Sequence, residues 1–191
     1  MMNRKLKITV MLGGPSAERE VSLRSGDAVA KALRSLGHEV TELDPAPGAW
    51  LLPPGADVVF LALHGTYGED GTIQRRLDEL GMPYTGCDAE SSSIAFDKVL
   101  TKQRLVAAGV PTARFAIVNS SHAEWPTGWS PPMVVKPVRQ GSSVGLSFVN
   151  DHADWRSALA LAFRFDSQAL VEEKVVGRET TVGVLDGKAL L

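Results

Sequence analysis

The chain has 191 residues, of which 44% are hydrophobic and 22% charged, so it is long and apolar enough to bury a substantial core. Its formal net charge of -2 provides no basic field for a phosphate backbone, which argues against nucleic acid as a partner. The single cysteine, Cys87, excludes an internal disulfide and a thiolate metal cluster, and it fits a reducing compartment.

The amino-terminal letters MMNRKLKITVMLGG predict neither a signal peptide nor a membrane span. Their apolar run is interrupted by Lys7 and Thr9 and stops at Leu12, which is too short for either. We therefore expect a cytoplasmic protein with no membrane partner.

The first part of the chain predicts strands that alternate with helices. A strand at 7–12 is broken by the letters GGPS, and apolar residues then recur at helical spacing up to Gly37, a C-cap residue. The strand at 57–63 is apolar on both faces, as in a parallel sheet covered by helices. The remaining elements are a strand at 38–43 and a helix at 71–80. This pattern indicates a small, doubly wound α/β domain over residues 1–90.

A second organisation begins near Ser91 and predicts an α+β domain over residues 91–191. Its first helix has Asp97 as N-cap and Gly109 as stop, and Asp186-Gly187 predicts a tight hairpin. The other predicted elements are strands at 111–119, 133–136 and 146–149, a loop at 120–132 and a helix at 153–163.

The letters MVVKPVRQGSSVG place a lysine at a strand end, followed by a loop rich in glycine and serine. Lys136 offers a point charge, Gly141 and Gly145 permit close backbone approach, and Ser142 and Ser143 offer hydroxyl groups. These residues suit phosphate oxygens. They equally describe an ordinary hairpin whose lysine extends to water, and the spacing matches neither Walker A nor GxGxxG.

Four segments together resemble one family, the D-alanine–D-alanine ligases of the ATP-grasp fold. They are LGGPSAEREVSLRSG (12–26), LHGTYGEDGTIQ (63–74), PYTGC with FDK (83–98) and VVKPVRQGSSVG (134–145). The resemblance implies an α/β fold: a doubly wound parallel-sheet domain (pre-ATP-grasp), followed by an α+β ATP-grasp central domain whose carboxyl-terminal ATP-grasp part is missing.

What the resemblance implies is ligation of a carboxylate to an amine at the expense of ATP. In that family ATP phosphorylates one D-alanine to an acyl phosphate, and the amine of a second D-alanine displaces phosphate to give a dipeptide for peptidoglycan synthesis. ATP and Mg2+ are the implied cofactors, D-alanine is the implied small-molecule substrate, and a homodimer is possible because relatives are usually dimers.

Matching positions carry implied roles. Glu18 holds the ammonium of the first D-alanine, His64 lines the substrate pocket, and Lys98 and Lys136 grip the ATP phosphates. Ser142 joins a hydrogen-bond network with Glu18, so both are candidate catalytic residues. Taken alone, Glu18 is a carboxylate favoured at a helix start, His64 is a structural histidine and Lys98 is an exposed helix lysine.

The resemblance also implies a nucleotide site around the letters LVEEKVVGRET. Glu172 accepts from the adenine amino group, backbone atoms near Glu173 and Val175 read the ring edge, and Glu179 holds the ribose hydroxyls. By spacing alone, acidic residues beside a strand describe a solvated edge. Gly141, Ser142 and Ser143 complete the implied contacts with the cofactor.

In relatives, the Mg2+ ligands, a charge-stabilising arginine and a lid tyrosine lie beyond the position of Leu191, so no residue of this chain is predicted to bind metal. We therefore expect a truncated ligase without ligase activity on its own. Two alternatives stay open: another ATP-grasp ligase, for example one that makes D-alanine–D-lactate, and a non-catalytic nucleotide-binding module. A dinucleotide-binding oxidoreductase is disfavoured, because LGGPSAE lacks the third glycine at the required spacing.

Overall fold

The computed structural model describes residues 4–47 and 49–190. Strands and helices follow in the order β1 (Lys7–Met11), α1 (Arg19–Ser35), β2 (Glu39–Leu43), β3 (Val58–Leu61), α2 (Thr72–Glu79), α3 (Ala89–Phe96), α4 (Lys98–Ala107), β4 (Phe115–Val118), β5 (Met133–Pro137), β6 (Ser147–Val149), α5 (Asp154–Ala162), β7 (Ala169–Glu173), β8 (Val184–Leu185) and β9 (Lys188–Ala189). In the described ranges, no helix has the length and apolar character that a membrane crossing requires.

The first sheet is parallel, with strand order β2-β1-β3. Side chains alternate along a strand, and β1 buries residues on both of its faces. Ile8 and Val10 pack with Ala30 of α1 on one face, and Met11 packs with Ile73 and other residues of α2 on the other. Helices therefore cover both faces, which confirms the predicted doubly wound arrangement.

Two serines, one buried and one half-buried, join the loops at the carboxyl ends of β1 and β3. Ser22 Oγ donates to the carbonyl of Ala62 at 2.7 Å and accepts from the amide of Gly13 at 2.8 Å. Ser16 Oγ donates to the carbonyl of His64 at 2.6 Å. Open parallel sheets bind ligands at this edge, and the two loops that carry Glu18 and His64 are held together there.

The second sheet is antiparallel, with strand order β4-β7-β5-β6. One of its faces packs on α5, where Met133, Val135 and Val171 meet Trp155 and Leu159 in a buried cluster. Since Lys136 and Glu172 alternate with those core residues, they lie on the opposite face, which α4 reaches through Lys102.

Most predicted elements are confirmed, and most strands are shorter than predicted, whereas β5 is one residue longer. Asp97 caps α4 by accepting from the amides of Val99 and Leu100 at 2.9 and 3.1 Å. Asp186 and Gly187 both have positive φ, at 50° and 73°, as a type I′ hairpin turn requires.

Helix α3 was not predicted, because its letters AESSSIAF contain three serines, which are weak helix formers. Asp88 starts it by accepting from the amide of Ser91 at 2.7 Å. The proposed division of the chain into residues 1–90 and 91–191 falls inside this helix, and it stays a prediction.

Candidate active site

Lys98 and Lys136 line one cavity of about 280 Å³, together with residues 140–144. Lys98 is the first residue of α4, and Lys136 is near the end of β5. The two ammonium groups thus come from separate parts of the chain and converge beside the glycine- and serine-rich loop.

Lys98 is fixed by the backbone of that loop. Its Nζ donates to the carbonyls of Val138, at 3.2 Å, and Gln140, and its amide donates to the carbonyl of Val138 at 3.2 Å. Burial lowers the pKa of Lys98 below its ordinary value, and the nearby charge of Lys136 acts in the same direction. An anion in the cavity would favour the charged form of Lys98.

The loop between β5 and β6 has an uncommon backbone. Ser142 and Ser143 have φ values of 46° and 60°, in the left-handed region that residues other than glycine rarely adopt. The amide of Val144 donates to the carbonyl of Gly141 at 3.0 Å and closes a turn. At Gly145, with φ 74°, a Cβ would lie 2.6 Å from a ring carbon of Pro137, so the position has no room for a side chain. Such backbone strain clusters at functional sites.

An ion pair holds the base of the loop. The amide, Nε and Nη2 of Arg139 donate to the carboxylate of Asp166 at 2.8, 3.2 and 2.7 Å. Burial raises the pKa of Asp166, but the hydrogen bonds from Arg139 outweigh this effect, and the pKa lies below its ordinary value. The carboxylate therefore stays charged and fixes the loop to the segment before β7.

Glu18 joins the loop to the parallel sheet. Ser142 Oγ donates to Glu18 Oε2, and the amide of Glu18 donates to Ser16 Oγ at 3.0 Å. A Cβ at Gly141 would collide with the carboxylate of Glu18, and one at Gly65 would lie 3.0 Å from Glu18 Oε1. Two glycines thus make the space that the Glu18 carboxylate occupies.

His64 lies close to the same loops and is held on both ring nitrogens. Its Nδ1 is 3.4 Å from Glu69 Oε1, and its Nε2 is 3.1 Å from Ser25 Oγ. Glu69 Oε2 also accepts from the amide of Gly65 at 3.0 Å. Since a carboxylate only accepts, Nδ1 carries the proton and Nε2 accepts from the Ser25 hydroxyl.

Glu172 is buried between two lysines. Its Oε1 forms an ion pair with Lys102, and its Oε2 forms one with Lys136. Burial raises the pKa of Glu172, but hydrogen bonds from both lysines lower it by more, so the pKa lies below its ordinary value. The carboxylate is therefore charged, and it lies on the sheet face that borders the cavity.

The other residues predicted at the nucleotide site lie at or beyond the end of β7. Glu173 is the last residue of that strand, and its Oε1 accepts from the amide of Arg114 at 3.2 Å. Val175 and Glu179 are exposed and follow the strand without regular structure. Their contacts with adenine and ribose stay predictions.

Sequence patterns did not single out five polar residues that organise this site. These are Ser25, Glu69, Lys102, Arg139 and Asp166. The partners of Glu69 lie four and five residues away, but those of the other residues lie ten or more residues away, so no local spacing indicates them. Only Lys102 had a usable signal, because it lies four residues after Lys98 and so shares its helix face. Among the described residues, no group of three or more His, Cys, Asp or Glu is arranged to hold a metal ion.

A parallel sheet followed by an antiparallel sheet, with two lysines beside a glycine-rich hairpin loop, defines a mixed α/β protein of the ATP-grasp class. Comparison with known proteins makes this more specific. A family model described as D-ala D-ala ligase C-terminus matches residues 104–190, and one described as D-ala D-ala ligase N-terminus matches residues 52–87. The chain belongs to the D-alanine–D-alanine ligase family.

Individual relatives agree with the family models. The D-alanine–D-alanine ligase of Methylacidiphilum infernorum is 45% identical over 183 residues, which are 96% of this chain and 59% of that relative. The crystal structure of a D-alanine–D-alanine ligase from Bacillus anthracis matches with a TM-score of 0.85 and 33% identity, over 97% of this chain and 62% of that one. A structure of the B. anthracis ligase complexed with ATP has a TM-score of 0.83 and 30% identity, over 97% of this chain and 64% of that one. The chain thus spans about three fifths of the length of these relatives.

Proposed function

We propose that this chain provides the ATP-phosphate site and the first-substrate site of a ligase that joins two D-alanines. The observation that carries this proposal is the convergence of Lys98, Lys136 and the loop 140–144 on one cavity, with Glu18 in contact with Ser142. The names of the relatives, and the ATP complex of one of them, supply the identity of the substrates.

The chemistry explains why cations surround the cavity. A carboxylate oxygen of the first D-alanine attacks the γ-phosphorus of ATP, and ADP leaves; the amine of the second D-alanine then displaces phosphate, forms the C–N bond and releases a proton. The first step brings two anions together. Lys98 and Lys136 lower its barrier by offsetting the negative charge of the phosphates, and they need no reorganisation because the protein already holds them in place.

The substrate side follows the same electrostatic logic. Glu18 offers a carboxylate for the ammonium of the first D-alanine, and the Ser142 hydroxyl fixes its orientation. His64, held by Ser25 and Glu69, lies on the same side of the parallel sheet. Glu18 and Ser142 thus link the substrate site to the phosphate loop, so that the position of one depends on that of the other.

Likeness to the family is the basis on which we assign the cofactors, the cellular location, the biosynthetic role and the oligomeric state. The phosphates of ATP suit the cavity, because their oxygens accept hydrogen bonds from ammonium groups and from a glycine-rich loop. Mg2+ is expected in the complete reaction, but the described residues offer no cluster for it, and we assign it no ligand here. A cytoplasmic location, a role in peptidoglycan synthesis and a homodimer complete the proposal.

Titration calorimetry of the 191-residue chain with ATP tests the proposal. We expect saturable binding that Lys136→Met weakens at least about tenfold, because a cation that faces the phosphates is lost. Arg104→Met is the matched control, since it removes one exposed charge from α4 away from the cavity. D-Alanine is titrated in a second series with Glu18→Gln. ATP binding without D-alanine binding would indicate a nucleotide-binding module instead of a ligase site.

A further inference from the structure

Lys102 is a buried lysine whose hydrogen-bonding capacity is filled by the protein. It lies in α4, and the whole residue is 8% exposed. Nζ donates to Thr112 Oγ1 at 2.7 Å and to the carbonyl of Ala113 at 3.1 Å, and it forms an ion pair with Glu172. An ammonium group has three N–H bonds, so all three have partners. Lys102 therefore has no donor left for a ligand.

Lys136 differs from Lys102 in both respects. Its side chain is 23% exposed, against 10% for Lys102, and it lines the cavity. Within the described residues its ammonium has one acidic partner, Glu172, which leaves N–H bonds for an incoming anion. One carboxylate is thus shared between a lysine that faces the cavity and a lysine that cannot reach it.

The shared carboxylate sets how much charge Lys136 presents to the cavity. With Lys102 in place, one oxygen of Glu172 is engaged by Lys102, and only the other oxygen holds Lys136. Without Lys102, the whole carboxylate acts on Lys136 and opposes the attraction of Lys136 for phosphate. Since burial limits screening by water, this difference acts at close range and in a low dielectric.

We propose that Lys102 is a positioning residue of the nucleotide site: it engages one oxygen of Glu172, so that Lys136 stays available to the phosphates. This inference rests on the proposed function, because it presumes that a polyphosphate binds beside Lys136. It differs from a direct role in binding, which the filled hydrogen bonds of Lys102 exclude.

A double-mutant cycle separates this role from a merely structural one. Binding of ATP and of inorganic tripolyphosphate is measured by calorimetry for the unmodified chain, Lys102→Met, Glu172→Gln and the double variant. We expect Lys102→Met to lower the affinity for both ligands by about tenfold when Glu172 is present. In the Glu172→Gln background we expect no further loss, since the carboxylate through which Lys102 acts is gone.

Controls address folding and general charge. Arg104→Met removes a positive charge from the exposed side of the same helix, and its affinities are expected to equal those of the unmodified chain. Thermal melts confirm that each variant is folded. If Lys102→Met does not fold, Thr112→Val is used instead, because it removes one hydrogen bond of Lys102 and keeps the charge. Thr112→Val is then expected to lower the affinity for both ligands by about threefold, and again only when Glu172 is present.

The outcomes separate the two proposals. An unmodified chain that binds neither ligand refutes the proposed function and this inference with it. If that chain binds ATP, the inference alone fails when Lys102→Met binds as tightly as the unmodified chain, or when its loss persists beside Glu172→Gln. It also fails when Lys102→Met lowers the affinity for ATP but not for tripolyphosphate. Glu172 would then act on the adenine ring of ATP and not on the availability of Lys136.

Discussion

At the scale of single residues, Gly141 shows how an absent side chain serves the site. A Cβ there would collide with the end of the Glu18 side chain, which is flexible and can move away. Gly141 has no positive φ, so alanine fits its backbone conformation. Substitution should therefore disturb the position of Glu18 more than the stability of the fold.

We predict that Gly141→Ala changes the free energy of unfolding by less than about 1 kcal/mol but weakens D-alanine binding about tenfold. The reason is that the Glu18 carboxylate must leave its contact with Ser142. Urea denaturation and calorimetry with D-alanine measure the two effects. Gly183→Ala is the control, since a Cβ there meets only ordinary van der Waals contacts, the nearest at 3.5 Å. Unchanged D-alanine affinity in Gly141→Ala would contradict the role given to Glu18.

At the scale of elements, the beginning of α4 positions two lysines with different tasks. Asp97 accepts hydrogen bonds from two amides of the first turn, and Lys98 and Lys102 follow on the same helix face. One side chain thus determines where both ammonium groups lie relative to the cavity.

We predict that Asp97→Ala lowers the free energy of unfolding by about 1 kcal/mol, as loss of an N-cap does, and also weakens ATP binding. Asp88→Ala is a matched comparison, because Asp88 caps α3 in the same way. It should lower the melting temperature while ATP affinity stays unchanged. If both variants bind ATP equally well, the cap of α4 has no part in positioning the lysines.

The sequence predicts helices and turns better than it predicts which side chains contact each other. Asp97, Gly109 and Asp186-Gly187 act through neighbours in the chain, so local letters were sufficient for α4 and for the last hairpin. Helix α3 was missed because its stability comes from packing and not from helix-forming residues. The partner of Arg139 is 27 residues away, and the contact of Glu18 with Ser142 spans 124 residues. Family resemblance indicated the second contact, and no pattern indicated the first.

At the scale of the whole molecule, carboxylates that are charged and held by cations couple stability to pH. The pKa values of Asp166 and Glu172 lie below their ordinary values of 3.8 and 4.5, because hydrogen bonds from cationic partners outweigh the effect of burial. Hydrogen bonding to Arg19 lowers the pKa of Asp44 in the same way. Asp44 and Asp166 hold loops through Arg19 and Arg139, and Glu172 joins β7 to α4 and β5.

The sign of the effect follows from proton binding. Because the folded pKa of each group is the lower one, the unfolded chain binds more protons as the solution is acidified, and this favours unfolding. The stabilisation is complete above the ordinary pKa of a carboxyl group and is lost as pH falls through the folded value. We therefore predict that the free energy of unfolding, from urea denaturation, decreases steadily below about pH 4.

Arg139→Met tests whether the pair with Asp166 contributes to this pH dependence. At pH 7 the variant leaves a carboxylate without its cation, and we expect a loss of about 1 kcal/mol, a value kept small because Arg139 is partly exposed. As pH falls, Asp166 takes up a proton in the variant at a higher pH than in the unmodified chain, so the two unfolding curves should converge. A gap that stays constant from pH 7 to pH 3 would show that Arg139 acts by packing and not by charge. Asp166→Asn gives the complementary result, since it removes one of the three carboxylates and should flatten the pH dependence.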